Sequence, residues 1–179
     1  MNFFEKYVFK WEIAGIFWIV FVGSLLHFTY EWSGNSKIVA LFSPVNESVW
    51  EHLKLGYWAL VFFMFIEYWF IKEYINNFFI GKTLGIIGMS LFIVIIFCSY
   101  AFITGESSLF IDIGSFIVGS IICQLISINI MKIKFSKKVE RLGVYTFIFI
   151  GIIFTFFTFF PPNWEIFRDS GTGKYGIQP

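Results

Sequence analysis

The sequence has few charged residues: Asp, Glu, Lys and Arg make up 14% of its 179 residues. A soluble globular domain has about 25% charged residues and about 45–50% apolar ones. Here 58% of the residues are hydrophobic, and the chain contains 27 Phe and 7 Trp. A soluble domain of this size cannot bury so much apolar surface, which excludes a soluble enzyme, a nucleic-acid-binding protein and a disordered protein. We predict a single membrane domain.

The net charge is also small, and cysteines are few. The 13 basic and 12 acidic residues give a formal net charge of +1, so the overall charge indicates neither nucleic acid nor an acidic partner. The two cysteines, Cys98 and Cys123, both lie within long apolar runs. We interpret them as packed thiols and not as a disulfide or a metal-binding pair.

Five apolar stretches are each long enough to cross a membrane, because a spanning helix needs about 20 residues. They predict an all-α, polytopic integral membrane protein with five transmembrane helices. The stretches cover about residues 11–32, 53–71, 84–103, 109–131 and 142–160. We therefore expect a transmembrane helical domain over residues 1–162 and a polar outer tail over residues 163–179.

A short apolar segment precedes the second span. Residues 38–42 are apolar but too few to cross a membrane, and Pro44 follows them. Proline and acidic side chains favour the first turn of a helix, so we predict that the second helix begins near Pro44. Residues 36–46 are then expected to form a re-entrant or interfacial segment.

The basic residues predict the orientation. Five of them lie around the connection between the fourth and fifth spans, and such connections are cytoplasmic under the positive-inside rule. They are Lys132, Lys134, Lys137, Lys138 and Arg141. Counting back across the spans places Lys72 and Lys82 in a second inner connection. We predict a multi-pass protein of the cell membrane with its N-terminus in the cytoplasm, its C-terminus outside, and an acidic outer mouth.

The first span carries one candidate pair for metal binding near its outer end. His27 and Glu31 are one helical turn apart, so they share a face of the helix. A histidine with a carboxylate one turn away suits a divalent metal or a proton-relay pair. The alternative is that both side chains only bond the backbone or water at the end of the helix.

The second helix begins with a row of charged residues. Glu47 and Glu51 are one turn apart, and Lys54 lies three residues beyond Glu51. The row is either a surface ion-pair row or a pair of carboxylates available for a cation or for acid–base chemistry. His52 lies about 100° around the helix from Glu51. Either His52 or the carboxylate pair faces the first helix, and the sequence leaves this open.

Taken together, both histidines of the chain fall at the outer ends of the first two helices, each with carboxylates at turn spacing. The set predicts a metal site with His27, Glu31 and His52 as ligands of a divalent ion such as Zn²⁺. Glu47 or Glu51 would be the general base that activates a metal-bound water. The chain contains no HExxH motif.

Three further polar residues are candidates for roles in the membrane. Asn46 belongs to the polar mouth or caps the second helix. Asp112 joins the same mouth or interacts with the N-terminal dipole of the fourth helix. Glu67 is an intramembrane carboxylate, for which we consider proton transfer or pairing with a polar residue such as Asn129.

The third helix carries small residues at regular spacing. Gly81, Gly85 and Gly88 suit close helix packing. The same face can also form a contact between chains, so a homo- or hetero-oligomer through these glycines is expected as an alternative.

Two stretches carry a family resemblance. They are HFTYEWSGNSKIVALFSPVNESVWEH, residues 27–52, and FPPNWEIFRDSGTGKYGI, residues 160–177. With the five-span layout, they resemble a family of small uncharacterised membrane proteins from clostridia and related Gram-positive bacteria. The resemblance covers essentially the whole chain and implies no assigned activity.

Three functional hypotheses follow. The leading one is an outward-facing His/carboxylate site that binds a cation or a small polar ligand, with metal-assisted hydrolysis at the membrane surface as its reaction. The alternatives are a small cation- or proton-coupled transporter and a non-catalytic accessory membrane subunit. The expected partners are membrane lipid and a small ligand or cation, and nucleic acid is not among them.

Overall fold

The computed structural model describes residues 3–104 and 108–177, so the last two residues of the predicted tail lie outside the described part. Five long helices dominate it. They are α1 (Phe3–Trp32), α2 (Val49–Ile71), α3 (Phe78–Thr104), α4 (Leu109–Lys132) and α5 (Lys137–Phe159). Single 3-10 turns lie at Val39–Leu41 and Glu165–Phe167. Within these residues no strand forms, and one isolated bridge pairs Arg168 with Tyr175.

All five helices are long and apolar enough to cross a membrane, so the predicted all-α multi-pass fold is confirmed. Their outward faces carry large exposed apolar side chains, such as Phe17, Phe65 and Phe110, as contact with lipid requires. The helices extend beyond the predicted apolar stretches. For example, α3 begins at Phe78 and not near residue 84, because its first turns include polar side chains that lower the local hydropathy.

The helices form one bundle in which α1 packs on α2 and α4, and α3 packs on α4 and α5. Neighbouring helices alternate in direction, so each end of the bundle gathers particular segments. We call the end that carries residues 27–54 and the C-terminal tail the tail end. The opposite end, where α2 connects to α3 and α4 connects to α5, is the loop end.

Glycines let α3 and α4 approach closely. A Cβ atom added at Gly85 would lie 2.6 Å from the carbonyl oxygen of Cys123, and one added at Gly88 would lie 2.4 Å from Ile126 Cδ1. Gly81 also faces α4. The three glycines therefore serve packing within the chain, which leaves little of this face for a second chain. Association with another chain stays a prediction.

Both cysteines are free thiols. Cys123 is buried at the contact between α3 and α4, as expected for a packed thiol. Cys98 is exposed on the surface of α3, so the prediction of packing is wrong for this residue.

The segment before α2 is anchored on α1 by one hydroxyl group. Ser43 Oγ donates to the carbonyl of Leu26 at 2.7 Å and accepts from the N–H of Tyr30 at 3.0 Å. Leu26 and Tyr30 are four residues apart, so the hydroxyl stands between two groups that would otherwise bond within α1. Such an insertion loosens one turn of a helix. This turn contains His27.

The start of α2 differs from the prediction. The helix begins at Val49, with Ser48 as its N-cap, and Pro44 lies in the preceding loop. Ser48 Oγ accepts from the N–H of Glu51 at 3.4 Å. A serine side chain can satisfy a free N–H group of the first turn, which makes Ser48 a better start than Pro44.

The C-terminal tail folds back over the start of α2. Phe167 is buried, and its ring centroid lies 4.6 Å from that of Trp50. The N–H of Asp169 donates to the carbonyl of Lys174, and the N–H of Gly173 donates to the carbonyl of Asp169. These bonds close a turn in which Gly173 has a φ of +72°. Glycine adopts such a φ without strain. The described part of the tail is thus packed against the helices.

The close contact of α3 with α4 yields a stability prediction. Gly85→Ala is expected to lower the free energy of unfolding by about 1–3 kcal/mol, because the new methyl group overlaps the backbone of α4. The matched control is Gly114→Ala on α4, where an added Cβ has open space around it. The control is expected to be neutral or slightly stabilising. Thermal unfolding in detergent measures both, and equal stability of the two variants would contradict the close contact.

Candidate metal centre

Three potential metal ligands converge at the tail end. Glu47 Oε2 lies 3.4 Å from His27 Nε2 and 3.5 Å from His52 Nε2. The three ligand atoms all lie within 4.8 Å of one another, and the centroids of the two imidazole rings are 5.3 Å apart. The two histidines of the chain therefore meet in space, although they belong to different helices.

The orientation of His52 is set by its second ring nitrogen. Nδ1 donates to the carbonyl of Ser48 at 2.8 Å, because a carbonyl oxygen can only accept. The lone pair of the neutral ring is then on Nε2, which faces Glu47. Metal-binding histidines commonly donate their other N–H group to a carbonyl or carboxylate in this way. His52 is thus already in the tautomer that a metal ion requires.

The C-terminal tail holds the main chain of Glu47. The N–H of Glu47 donates to Asp169 Oδ1 at 3.1 Å, and Ser170 Oγ donates to the carbonyl of Glu47 at 3.2 Å. Asn46 Nδ2 donates to the carbonyl of Gly176 at 3.0 Å. Because these bonds act on the loop and on the backbone of Glu47, its carboxylate remains free to face the histidines.

Asp169 is itself fixed as an anion. Burial raises the pKa of its carboxyl group, but hydrogen bonds from the Thr172 side chain and from the N–H groups of Glu47, Gly171 and Thr172 outweigh burial. The pKa therefore lies below the usual range of an aspartate, and Asp169 accepts these bonds as a carboxylate at neutral pH.

Glu47 faces the two histidines as a carboxylate. Its pKa lies below the ordinary value because the hydrogen bond with His27 favours the carboxylate and outweighs the opposing effect of partial burial. The side chain of Glu47 is 53% exposed, and those of His27 and His52 are 29% and 30% exposed. Solvent and ions can therefore reach all three ligand atoms.

The separations fit a small divalent ion. In a tetrahedral zinc site with bonds of about 2.1 Å, neighbouring ligand atoms are about 3.4 Å apart. The two distances from Glu47 to the histidines already have this length. Imidazole with carboxylate is a ligand set that zinc and iron use. Three protein ligands leave a fourth position for water, as in catalytic zinc sites.

The other residues predicted for the polar mouth lie around these three. Glu31 is exposed and is not one of the converging ligands, although its charge interacts with His27. Asp112 on α4 is close enough to Glu47 and His52 for their charges to interact. Asn46 supports the loop, since its Oδ1 accepts from the N–H of Ser48 at 3.0 Å.

Glu51 lies away from this site, in a buried ion pair. Its Oε2 is 2.6 Å from Lys54 Nζ and accepts from the N–H of Val45, and its Oε1 accepts from Thr158 Oγ1 at 2.7 Å. Lys54 Nζ also donates to the carbonyl of Ala40 and to Thr158. Both carboxylate oxygens of Glu51 thus have partners within the protein. Glu51 was one of the two predicted general bases, but in the structure it belongs to a buried ion pair away from the histidines. The helical offset between Glu51 and His52 turns His52 towards α1 and Glu51 towards α5.

A second polar cluster lies in the half of the bundle nearer the loop end. We call it the loop-end cluster, and its members are Glu12, Glu67, Lys82, Gln124 and Ser127. Glu67 was predicted as an intramembrane carboxylate, and it pairs with Lys82 at 2.6 Å. Asn129, its predicted alternative partner, is exposed and donates to the carbonyl of Leu125.

Sequence reasoning missed both charged neighbours of Glu67 in this cluster. Lys82 was assigned to an inner connection, but it is wholly buried within α3. Glu12 was not selected, although an acidic residue just inside an apolar span is the signal that marks such sites. The predicted third span began near residue 84, so Lys82 was placed outside the membrane. Glu12 was then left without a predicted partner.

The fold and the site define a multi-pass helical membrane protein with a His/carboxylate group that can hold a metal ion. The chain belongs to DUF6512, a family of unknown function, whose family model matches residues 2–177. Membership of an uncharacterised family over nearly the whole chain agrees with the resemblance of the two quoted stretches, and the bacterial range of that family stays a prediction. No curated protein and no solved structure matches the chain significantly.

The buried pair at the tail end yields a second stability prediction. Lys54→Met leaves Glu51 as an unpaired buried charge, so a loss of about 3–5 kcal/mol in the free energy of unfolding is expected. The double variant Glu51→Gln, Lys54→Met removes both charges and is expected to recover part of the loss. Denaturant unfolding in detergent measures all three proteins. A single variant as stable as the parent would show that the pair does not hold the segment before α2.

Proposed function

We propose that His27, Glu47 and His52 bind one divalent transition-metal ion, with zinc as the best match. The observation that carries the proposal is the convergence of the three ligand atoms within 4.8 Å, with His52 already held in the required tautomer. Glu47 replaces Glu31 in the ligand set that the sequence favoured. Each ligand comes with a support: the turn of α1 bonded by Ser43 for His27, the tail for Glu47, and the carbonyl of Ser48 for His52.

The site faces the outside of the cell membrane in this proposal. Eight exposed basic residues lie at the loop end, namely Lys6, Lys10, Lys72, Lys132, Lys134, Lys137, Lys138 and Arg141. Three exposed ones, Lys37, Arg168 and Lys174, lie at the tail end. The remaining two of the 13 basic residues are the buried Lys54 and Lys82. The positive-inside rule then places the loop end in the cytoplasm.

The reaction class that this arrangement supports is metal-assisted hydrolysis at the membrane surface. A zinc ion with three protein ligands lowers the pKa of a bound water to about 7 and so supplies a nucleophile at neutral pH. Asp112 is a nearby carboxylate that is neither a ligand nor in a buried ion pair, and we assign it the role of general base in place of Glu51. Protons compete with the metal for His27, Glu47 and His52, so binding is lost as the pH falls.

Metal analysis of the purified protein tests the site. The parent protein, purified in detergent, is expected to hold about one transition-metal ion per chain, and the His27→Ala, His52→Ala double variant is expected to hold none. The matched control is Glu31→Gln, which removes an acidic side chain one turn from His27 without removing a converging ligand. Inductively coupled plasma mass spectrometry measures the metal content.

Two outcomes would contradict the proposal. A parent protein without metal, also after incubation with zinc, would remove the metal site. Loss of metal in Glu31→Gln but not in the double histidine variant would show that the ligands are other residues. If the site holds metal, release of a fluorophore from an ester substrate in mixed micelles tests hydrolysis, which is expected to require both the metal and Asp112.

The hydrogen bonds between the tail and the main chain of Glu47 predict that a residue outside the ligand set affects zinc affinity. Asp169→Asn is expected to weaken zinc affinity by about 10–100-fold, the usual effect of removing a group that orients a ligand. The control is Glu165→Gln in the same tail, where the exposed Glu165 pairs only with the exposed Arg168 among the contacts described. Competition with a chelating dye measures both affinities. Equal affinity of Asp169→Asn and the control would show that the tail does not position Glu47.

A further inference from the structure

The loop-end cluster joins four helices around one ammonium group. Lys82 Nζ donates to Glu12 Oε1 at 3.0 Å and to Gln124 Oε1 at 3.1 Å, and it lies 2.6 Å from Glu67 Oε2. Ser127 Oγ donates to Glu12 Oε1 at 3.2 Å. Glu12 and Gln124 accept from two of the three N–H donors of the lysine, and Glu67 Oε2 contacts Nζ as an ion pair. The rings of Phe63 and Phe78 lie on the other sides of Nζ.

The charges of the cluster do not balance when every group is ionised. Glu12 and Glu67 carry two negative charges, and Lys82 carries one positive charge. All three side chains are at most 3% exposed, and an uncompensated charge at such a depth is costly. The pair of Glu51 and Lys54 in the same bundle has one charge of each sign, so the excess is particular to the loop-end cluster.

Unpartnered oxygen atoms indicate how the excess is resolved. Glu12 Oε2 and Glu67 Oε1 are buried and have no hydrogen-bond donor. Both carboxyl groups contact the same ammonium nitrogen, Glu12 Oε1 at 3.0 Å and Glu67 Oε2 at 2.6 Å, so they lie next to each other. Two carboxylates can only accept, so their contact is repulsive. One proton turns it into a hydrogen bond and also neutralises the excess charge. A metal cation fits less well, because it would be repelled by the ammonium group of Lys82.

The other titratable groups near the cluster do not supply this proton. On α4, Cys123 is wholly buried against Gly85 of α3, where a free thiol packs as a small apolar side chain. On α5, Glu140 accepts from the N–H groups of Phe79 and Ile80 and is tied to the start of α3.

A cavity at the loop end comes to within about one helical turn of the cluster. It has a volume of about 450 Å³, lies at the loop end, and is lined by residues that include Val8 and Ile128. Val8 is one helical turn from Glu12, and Ile128 is one turn from Gln124. The cavity therefore ends close to the two helices that carry Glu12 and Gln124.

We propose that Glu12 and Glu67 share one exchangeable proton beside Lys82 and exchange it with the solvent at the loop end through this cavity. The proton passes from water to a carboxylate oxygen and returns by the same route, so no other reactant is required. The loop-end cluster is then a proton-binding site inside the bundle, separate from the metal centre at the tail end. The proposal does not depend on the metal centre.

Infrared spectroscopy of the protein reconstituted in lipid tests the proposal, because a protonated carboxyl group has its own C=O stretching band. The parent is expected to show the band of one protonated carboxyl group per chain at neutral pH. Glu12→Gln and Glu67→Gln each leave one carboxylate against one ammonium, so each is expected to lose this band. Lys82→Met removes the ammonium and is expected to raise the band about two-fold. Glu31→Gln, an exposed carboxylate at the tail end, is the control and is expected to keep the parental band.

The outcomes separate the alternatives. A parental band that is absent, or that persists at full intensity in both glutamine variants, would overturn the shared proton. A band that disappears when sodium replaces a bulky organic cation in the buffer would assign the site to a metal cation and overturn the proposal as well. Transfer to D₂O is expected to shift the band within minutes, and a band that stays unshifted for hours would overturn exchange through the cavity. Size-exclusion chromatography shows which variants are folded, and the two isosteric glutamine variants carry the test if Lys82→Met fails to fold.

Discussion

The tail end of the bundle depends on the ammonium group of Lys54. Backbone and charges inside a membrane need partners within the protein, because lipid offers none. Lys54 is wholly buried and meets the carbonyl of Ala40, the carboxylate of Glu51 and the hydroxyl of Thr158. One side chain thus connects the segment before α2, the start of α2 and the end of α5. The loop that carries Glu47 lies between the first two of these elements, so its path is determined by this contact.

Much of the fold follows from the sequence, because the surrounding solvent is lipid. An apolar stretch of membrane-spanning length has few alternatives to a helix, so five stretches predict five helices. The candidate site was predicted in part, because His27 and His52 are the only histidines and both lie near one end of their helices. The choice among Glu31, Glu47 and Glu51 could not be made. This choice depends on how α2 is rotated about its axis and on the C-terminal tail, which contacts residue 47 from far along the chain. The spacing of nearby residues in the sequence indicates neither of them.

Buried charge pairs were the hardest feature to predict. Hydropathy treats Glu12 and Lys82 as interruptions at the edge of a span, whereas the structure joins them across 70 residues of chain. A lysine near the start of a span is interpreted as a residue of a cytoplasmic loop unless its partner on another helix is known. The two ends of the bundle consequently differ: ligands open to solvent gather at one end, and a closed ionic cluster lies nearer the other.

The bonds from Asp169 and Ser170 to the main chain of Glu47 also bear on the order in which the protein is made. Asp169 is synthesised 122 residues after Glu47. The two histidines lie on α1 and α2, which are made early, but the main chain of Glu47 acquires its bonds to the tail only when residues 169 and 170 have been made. During synthesis the chain therefore passes through a stage in which the tail does not yet hold Glu47. Under the proposed function, the ligand set is completed last, at the end of the bundle where the tail lies, so the metal supply on that side of the membrane determines which ion the protein acquires.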